Sequence, residues 1–238
     1  MDVVDNVVKS EVNGSIFDNK ILMLQNISIG YNKPIVSKIN KDVLAGETIA
    51  VLGPSGIGKT TLLRTIAGLI RPLSGEVFHN IPKRGGIGYI PQKLGLIRHS
   101  SVRSNIALGA RTRRSRWFSA FLPLDRTLRN DIESAMKSLN IQDLADVPVR
   151  ILSGGQQRRV AIARTLIQKP QLILADEFLG ELDSANVKSI VEATKKAVKE
   201  LGATLIMVEH NEERAIQMAD RVWRIIGNEL IEEGAFDE

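Results

Sequence analysis

The feature that most constrains this chain is the nonapeptide Gly53-Pro54-Ser55-Gly56-Ile57-Gly58-Lys59-Thr60-Thr61. It matches G-x-x-x-x-G-K-[ST], a loop that closes backbone N–H groups around a polyphosphate, without a deviation. Glycines are required because a Cβ would collide with the phosphates. Lys59 places a point charge at the β/γ oxygens, and the Thr60 hydroxyl is a ligand for Mg2+. The flanks agree. Thr48–Leu52 reads as a buried strand and Thr61–Ala67 as a helix stopped at Gly68, which sets a helix N-terminus at the phosphates. These residues imply a nucleotide site.

The 238 residues suffice for one large domain, or for one domain carrying an inserted subdomain. No apolar run approaches the roughly 20 residues of a membrane helix, and Met1–Asn6 lacks the basic and apolar regions of a signal peptide. The absence of cysteine removes disulfides, thiolate nucleophiles and Cys-zinc sites. The net charge of +5 is unevenly spread. Leu94–Leu124 holds no acidic residue but contains Arg98, Arg103, Arg111, Arg113, Arg114 and Arg116. Such a face suits RNA, anionic lipid or an acidic partner, or it is simply solvated.

Residues 1–18 show no periodicity and read as a poorly ordered leader. Ile21–Ile29 is a strand, Arg71–Val77 a turn entering a short strand, and Ile87–Ile90 a strand ending at Pro91-Gln92. The β pattern then disappears until about Pro148. Within that stretch apolar residues at 132, 135, 136 and 139 have helical spacing, so a helical insertion is expected over about 94–158. Trp117, Phe118 and Phe121 are expected to pack it. Strand and helix alternation resumes with a helix over Gln156–Gln168, a strand at Leu172–Ala175, a helix over Asp183–Leu201 stopped by Gly202, and a strand at Thr204–Val208. Continuous apolar strands alternating with helices predict a parallel sheet covered on both faces, in an α/β fold. Its ligand belongs at the carboxyl ends of the strands, where Gly53, Asp176 and His210 fall.

Two further motifs carry chemistry. Ile173–Ala175 ends in Asp176-Glu177; the first carboxylate is placed to support Mg2+, and the second to orient or deprotonate an attacking water. Ser153-Gly154-Gly155-Gln156 opens a helix with free N–H groups and little side-chain bulk, which is either a second phosphate site or an ordinary capped turn.

Leu152-Ser153-Gly154-Gly155-Gln156 stands about 20 residues before Asp176-Glu177 and downstream of the phosphate loop. In this the chain resembles the ATPase subunit of ATP-binding-cassette (ABC) transporters, over roughly residues 20–234. The resemblance implies a RecA-like P-loop NTPase core, an N-terminal antiparallel β subdomain and an inserted helical subdomain, with 19–238 a single ABC ATPase domain. It implies that Tyr31 stacks on adenine and that Gln92 contacts Mg2+. It also implies that Glu177 is the catalytic base, that Asp183 lies in the dimer-contact loop Gly180–Asp183, and that His210 reaches the γ-phosphate. Two departures stand out: Phe178 replaces a usual proline, and Glu181 a usual small residue. Neither removes a group the chemistry requires.

The resemblance further implies a head-to-tail dimer with a second ATPase subunit. ATP and Mg2+ on Gly53–Thr61 of one copy are closed off by Ser153–Gln156 of the other. It implies separate permease subunits, a substrate-binding protein, and a peripheral place on the cytoplasmic face of the membrane. Asp146–Ile151 lacks the Val-Gly-Glu common in exporters, which favours import. The length of 109–129 looks most like phosphonate-type importers, with metal importers as nearest competitor. Two other readings are a soluble ATPase acting on nucleic acid or ribosomes, and a regulatory ATPase at the inner membrane. Nucleic acid is disfavoured, because only about 90 residues without sustained heptads separate loop and signature.

Overall fold

A computed structural model describes residues 19–113, 125–180 and 184–233. The leader, Arg114, Arg116, the three aromatic residues of the insertion, Glu181 and Asp183 lie outside the described residues.

Two sheets are formed. In the first, β1 (Lys20–Gly30) runs between β2 (Pro34–Leu44) and β4 (Ser74–His79), and both pairings are antiparallel. The sequence pattern gives no sign of β2, for a physical reason. Its buried residues Val36, Ile39 and Val43 are spaced by three and four, as on a helix. Ile27 faces Ile39 and Ile29 faces Val36, so β2 spends three residues where β1 spends two. That bulge, with Lys38 at φ 55°, returns the apolar side chains to one face.

The second sheet has the order β5-β6-β7-β3-β8-β9 among the described residues. Its strands are β3 (Thr48–Leu52), β5 (Ile87–Ile90), β6 (Leu172–Asp176), β7 (Thr204–Val208), β8 (Arg221–Ile226) and β9 (Glu229–Glu233). All neighbours are parallel except β8 and β9. The alternation along each inner strand builds two cores. Ile49, Val51, Leu172, Leu174, Ile206 and Val208 pack toward the first sheet and α1 (Lys59–Ile66). Ala50, Leu52, Ile173, Ala175, Leu205 and Met207 pack under the other helices.

Those helices are α2 (Val102–Ala110), α3 (Arg126–Ser138), α4 (Gly154–Leu166), α5 (Ser184–Leu201) and α6 (Glu212–Met218). In α3 the expected stripe is internal, with Ile132 and Met136 buried and Leu139 buried just past its end. Helix α4 runs unbroken across residue 158, where the insertion was expected to end. Because β6, β7 and β3 are adjacent and parallel, Asp176, His210 and the phosphate loop emerge together at the carboxyl ends of these strands.

Candidate nucleotide site

The loop between β3 and α1 leaves the helix end open. Gly58 is the N-cap of α1, at φ 112°, and no side chain caps the first turn. A Cβ at Gly58 would lie 3.0 Å from Ile35 Cγ2 in a conformation that L residues rarely adopt, so glycine is demanded here by the fold itself. Lys59 is only 3% exposed, and its Nζ donates to the carbonyls of Gly53 (2.7 Å) and Pro54 (2.9 Å). Burial pulls the Lys59 ammonium below its ordinary range, and the nearby Glu177 and Asp176 oppose that pull.

Facing the loop, Thr60 Oγ1 donates to Asp176 Oδ1 at 2.9 Å. Burial pushes the Asp176 carboxyl up; the Thr60 bond acts the other way, and Glu177 adds to the rise. Next to it, Glu177 has φ 47°, a left-handed conformation unusual for a residue with a side chain. Both of its carboxylate oxygens are engaged. Gln92 Nε2 donates to Oε2 at 2.5 Å, and His210 Nε2 lies 2.6 Å from Oε1. Gln92, Glu177 and His210 follow β5, β6 and β7 in turn, so the three are brought together by strand order alone.

The other expected phosphate site is closed on itself. Ser153 Oγ accepts from the Gln156 N–H, while Gln156 Oε1 accepts from the Ser153 N–H, a reciprocal capping box. Among the described residues, no hydrogen bond joins Ser153, Gly154, Gly155 or Gln156 to the loop cluster. Gly154 has open space where a Cβ would stand.

Residue type and spacing did not point to two other members of the site. The Tyr89 hydroxyl donates to Asp176 Oδ2 at 3.4 Å, and Tyr89, with Tyr31, raises the pKa of the Arg64 guanidinium beside it. Tyr89 could have been suspected, as a polar tip in an apolar strand just before Gln92. Arg64 carries no such signal. Tyr31 is 59% exposed, which makes its ring available rather than packed. Phe178 is buried at 1% exposure, so the residue in the usual proline position is a core residue here.

A family model described as ABC transporter matches residues 36–180. This chain belongs to the ABC transporter family. The chain is 37% identical over 198 residues to the spermidine/putrescine import ATP-binding protein PotA of Legionella pneumophila, covering 80% of this chain and 52% of that protein. It is also 37% identical over 221 residues to the molybdate/tungstate import ATP-binding protein WtpC of Pyrococcus horikoshii, covering 90% and 62%. The cassette thus spans between half and two thirds of the length of these relatives. Among solved structures it superimposes on the dimeric post-hydrolysis state of the ATP-binding cassette MJ0796 bound to ADP and Pi. The TM-score is 0.78 at 28% identity, over 92% of this chain and 100% of that one. The fold is the ABC ATPase fold, an α/β P-loop architecture with an antiparallel sheet at its N-terminal side. No helix among the described residues is long and apolar enough to cross a membrane.

Proposed function

We propose that this chain binds and hydrolyses ATP as the nucleotide subunit of an ABC importer, powering solute movement through separate permease subunits. The observation that carries the reading is the division of labour between two adjacent carboxylates. Asp176 faces the Thr60 hydroxyl, whereas Glu177 is turned away by its backbone and braced by Gln92 and His210. Thr60 Oγ1 and Asp176 fit Mg2+, which takes hard oxygen donors and one or two carboxylates, with substrate phosphates and waters completing the shell. Bound there, the ion would neutralise charge on the β/γ oxygens. Gln92, bonded to the neighbouring Glu177, is proposed to contribute to its shell. Lys59, once released from the loop carbonyls, supplies the second positive charge, and Tyr31 offers its exposed ring to the adenine. Glu177 then orients the attacking water or takes its proton, and His210 holds the carboxylate and reaches for the γ-phosphate.

The site is proposed to be completed by a second copy arranged head to tail, with Ser153–Gln156 of the partner closing over the nucleotide, as the dimeric state of MJ0796 encourages. Nothing in the chain's own packing requires glycine at 154, so the small residue is read as clearance for an approaching group. Asp183 is proposed for the same interface. The peripheral position on the cytoplasmic face follows from the permease partnership, as does the expectation of a substrate-binding protein.

Import is supported by the relatives' names. The solute is not carried by this chain. At equal identity those relatives are named for a polycation and for oxyanions, so solute selection resides on other subunits. The phosphonate-type likeness has no support among them.

Glu177→Gln tests the reading. It keeps the shape and loses the base, so kcat falls at least about 100-fold, the lower range for removing a general base, while equilibrium ATP binding stays within about threefold. A mutant that still turns over at the wild-type rate would remove Glu177 from the chemistry.

A further inference from the structure

Helix α4 grips four other segments through three arginines. Arg164 donates to the carbonyls of Leu94 (2.6 Å) and Gly95 (2.8 Å), just beyond Gln92. Arg159 donates to the Leu139 carbonyl (3.0 Å) after α3 and to Ser189 Oγ (2.9 Å) on α5. Arg158 donates to the Phe178 carbonyl at 2.7 Å, one residue beyond Glu177.

The last contact falls on a strained turn. Glu177 sits at φ 47°, which a residue with a Cβ keeps only where its surroundings fix it. Phe178 anchors the turn in the core, and the Gly180 N–H closes it onto the Glu177 carbonyl at 3.2 Å. Arg158 adds a charge-assisted bond from outside the turn, and it comes from the first turns of α4, close to Ser153–Gln156. Helix α4 is about 20 Å of continuous hydrogen-bonded rod, so a shift of its N-terminus is passed to Arg158 with little loss.

We propose that Arg158 is a positioning residue through which helix α4 sets the aim of Glu177. The same rod that presents Ser153–Gln156 to a partner's nucleotide holds the carboxylate turn of its own site. Through Arg164 it also holds the segment following Gln92, so both members of the 2.5 Å Gln92–Glu177 bond hang from one helix. The inference rests on the proposed role of Glu177.

The test compares R158M, R158K and E177Q as full-length chains for kcat, KM for ATP, equilibrium ATP binding and thermal midpoint. Methionine fills the same space without a donor. R158M is expected to lose about 10- to 100-fold in kcat, the scale for a misplaced reacting group, with KM and ATP affinity within about twofold. R158K keeps one donor for the Phe178 carbonyl and falls between R158M and wild type. Should R158M not fold, R158K decides alone: a lowered kcat at unchanged KM supports the proposal, and a wild-type kcat overturns it. It is overturned equally if R158M keeps wild-type kcat, or if its kcat, ATP affinity and midpoint fall together and lysine restores none of them. If E177Q itself turns over normally, it is the reading of Glu177 that fails, whatever Arg158 does.

Discussion

The two helix starts that the sequence marks as phosphate-grade are built in opposite ways. At α1 the shape is dictated from within. Gly58 is forced by a positive φ and by Ile35, the first turn lacks a side-chain cap, and a buried lysine is folded onto its own loop carbonyls. At α4 the first turn satisfies itself through the Ser153–Gln156 capping box, and Gly154 faces open space. One end is incomplete without an anion. The other is complete as it stands, yet carries a glycine that its own fold does not use. A residue explained by no internal contact is best explained by an external one, and on the proposed reading that separates a site that binds from a surface that closes.

The strongest way to break the contrast is at Lys59. Lys59→Ala removes charge-assisted bonds worth about 1.5–3 kcal/mol, so the ATP Kd should rise about 100-fold, read by equilibrium binding at fixed Mg2+. The α4 end takes no part in that measurement. Wild-type affinity in the mutant would mean that the loop is not the binding end, and the contrast would collapse.

Gly154→Ala tests the other end, with a smaller effect on a different quantity. Alanine is the better helix former by up to about 1 kcal/mol, and space for its methyl exists, so the thermal midpoint should hold or rise. ATP affinity should not change. Turnover should fall about tenfold, and more steeply on dilution, if a partner's nucleotide must approach this surface. Unchanged turnover at every protein concentration would leave Gly154 without a role and remove the reason for calling α4 a closing surface.

How far the sequence revealed this depends on whether a feature is local. The phosphate loop, the strand before Asp176 and the capping signal at Ser153 are contiguous, and each was legible with the correct element type. The doubly buried strands β6 and β7 were legible because continuous apolar runs need two covering layers. Strand β2 was not, since its bulge disguises period two as three and four. Helix α2 was hidden by Asn105, a buried polar residue whose side chain holds the Ile97 N–H and the carbonyls of Ile97 and Ser101. Within the site, residue identities could be assigned from motifs, but their wiring could not. Thr60 and Asp176 are 116 residues apart, and nothing in either motif specifies that Tyr89, Arg64 or Arg158 will join them.

Glu209 yields the smallest prediction and refines the account of the binding end. It follows β7, its N–H donates to the Val51 carbonyl at 3.3 Å, and it therefore backs onto the root of the phosphate loop. It is 4% exposed, and one carboxylate oxygen has no hydrogen-bond partner among the described residues. Burial pushes its carboxyl above the ordinary 4.5, while Arg214 and the N–H groups of His210 and Asn211 pull it back less strongly. The folded chain thus binds this proton more tightly than the unfolded chain does, so this residue's contribution to stability falls as pH rises above 4.5. Glu209→Gln has no charge to bury. At pH 8 it should gain on the order of 1 kcal/mol, or about 2–4 °C in thermal midpoint for a chain of this size, and the gain should vanish near pH 4. A gain of equal size at both pH values would show that packing, not charge, is what Glu209 costs.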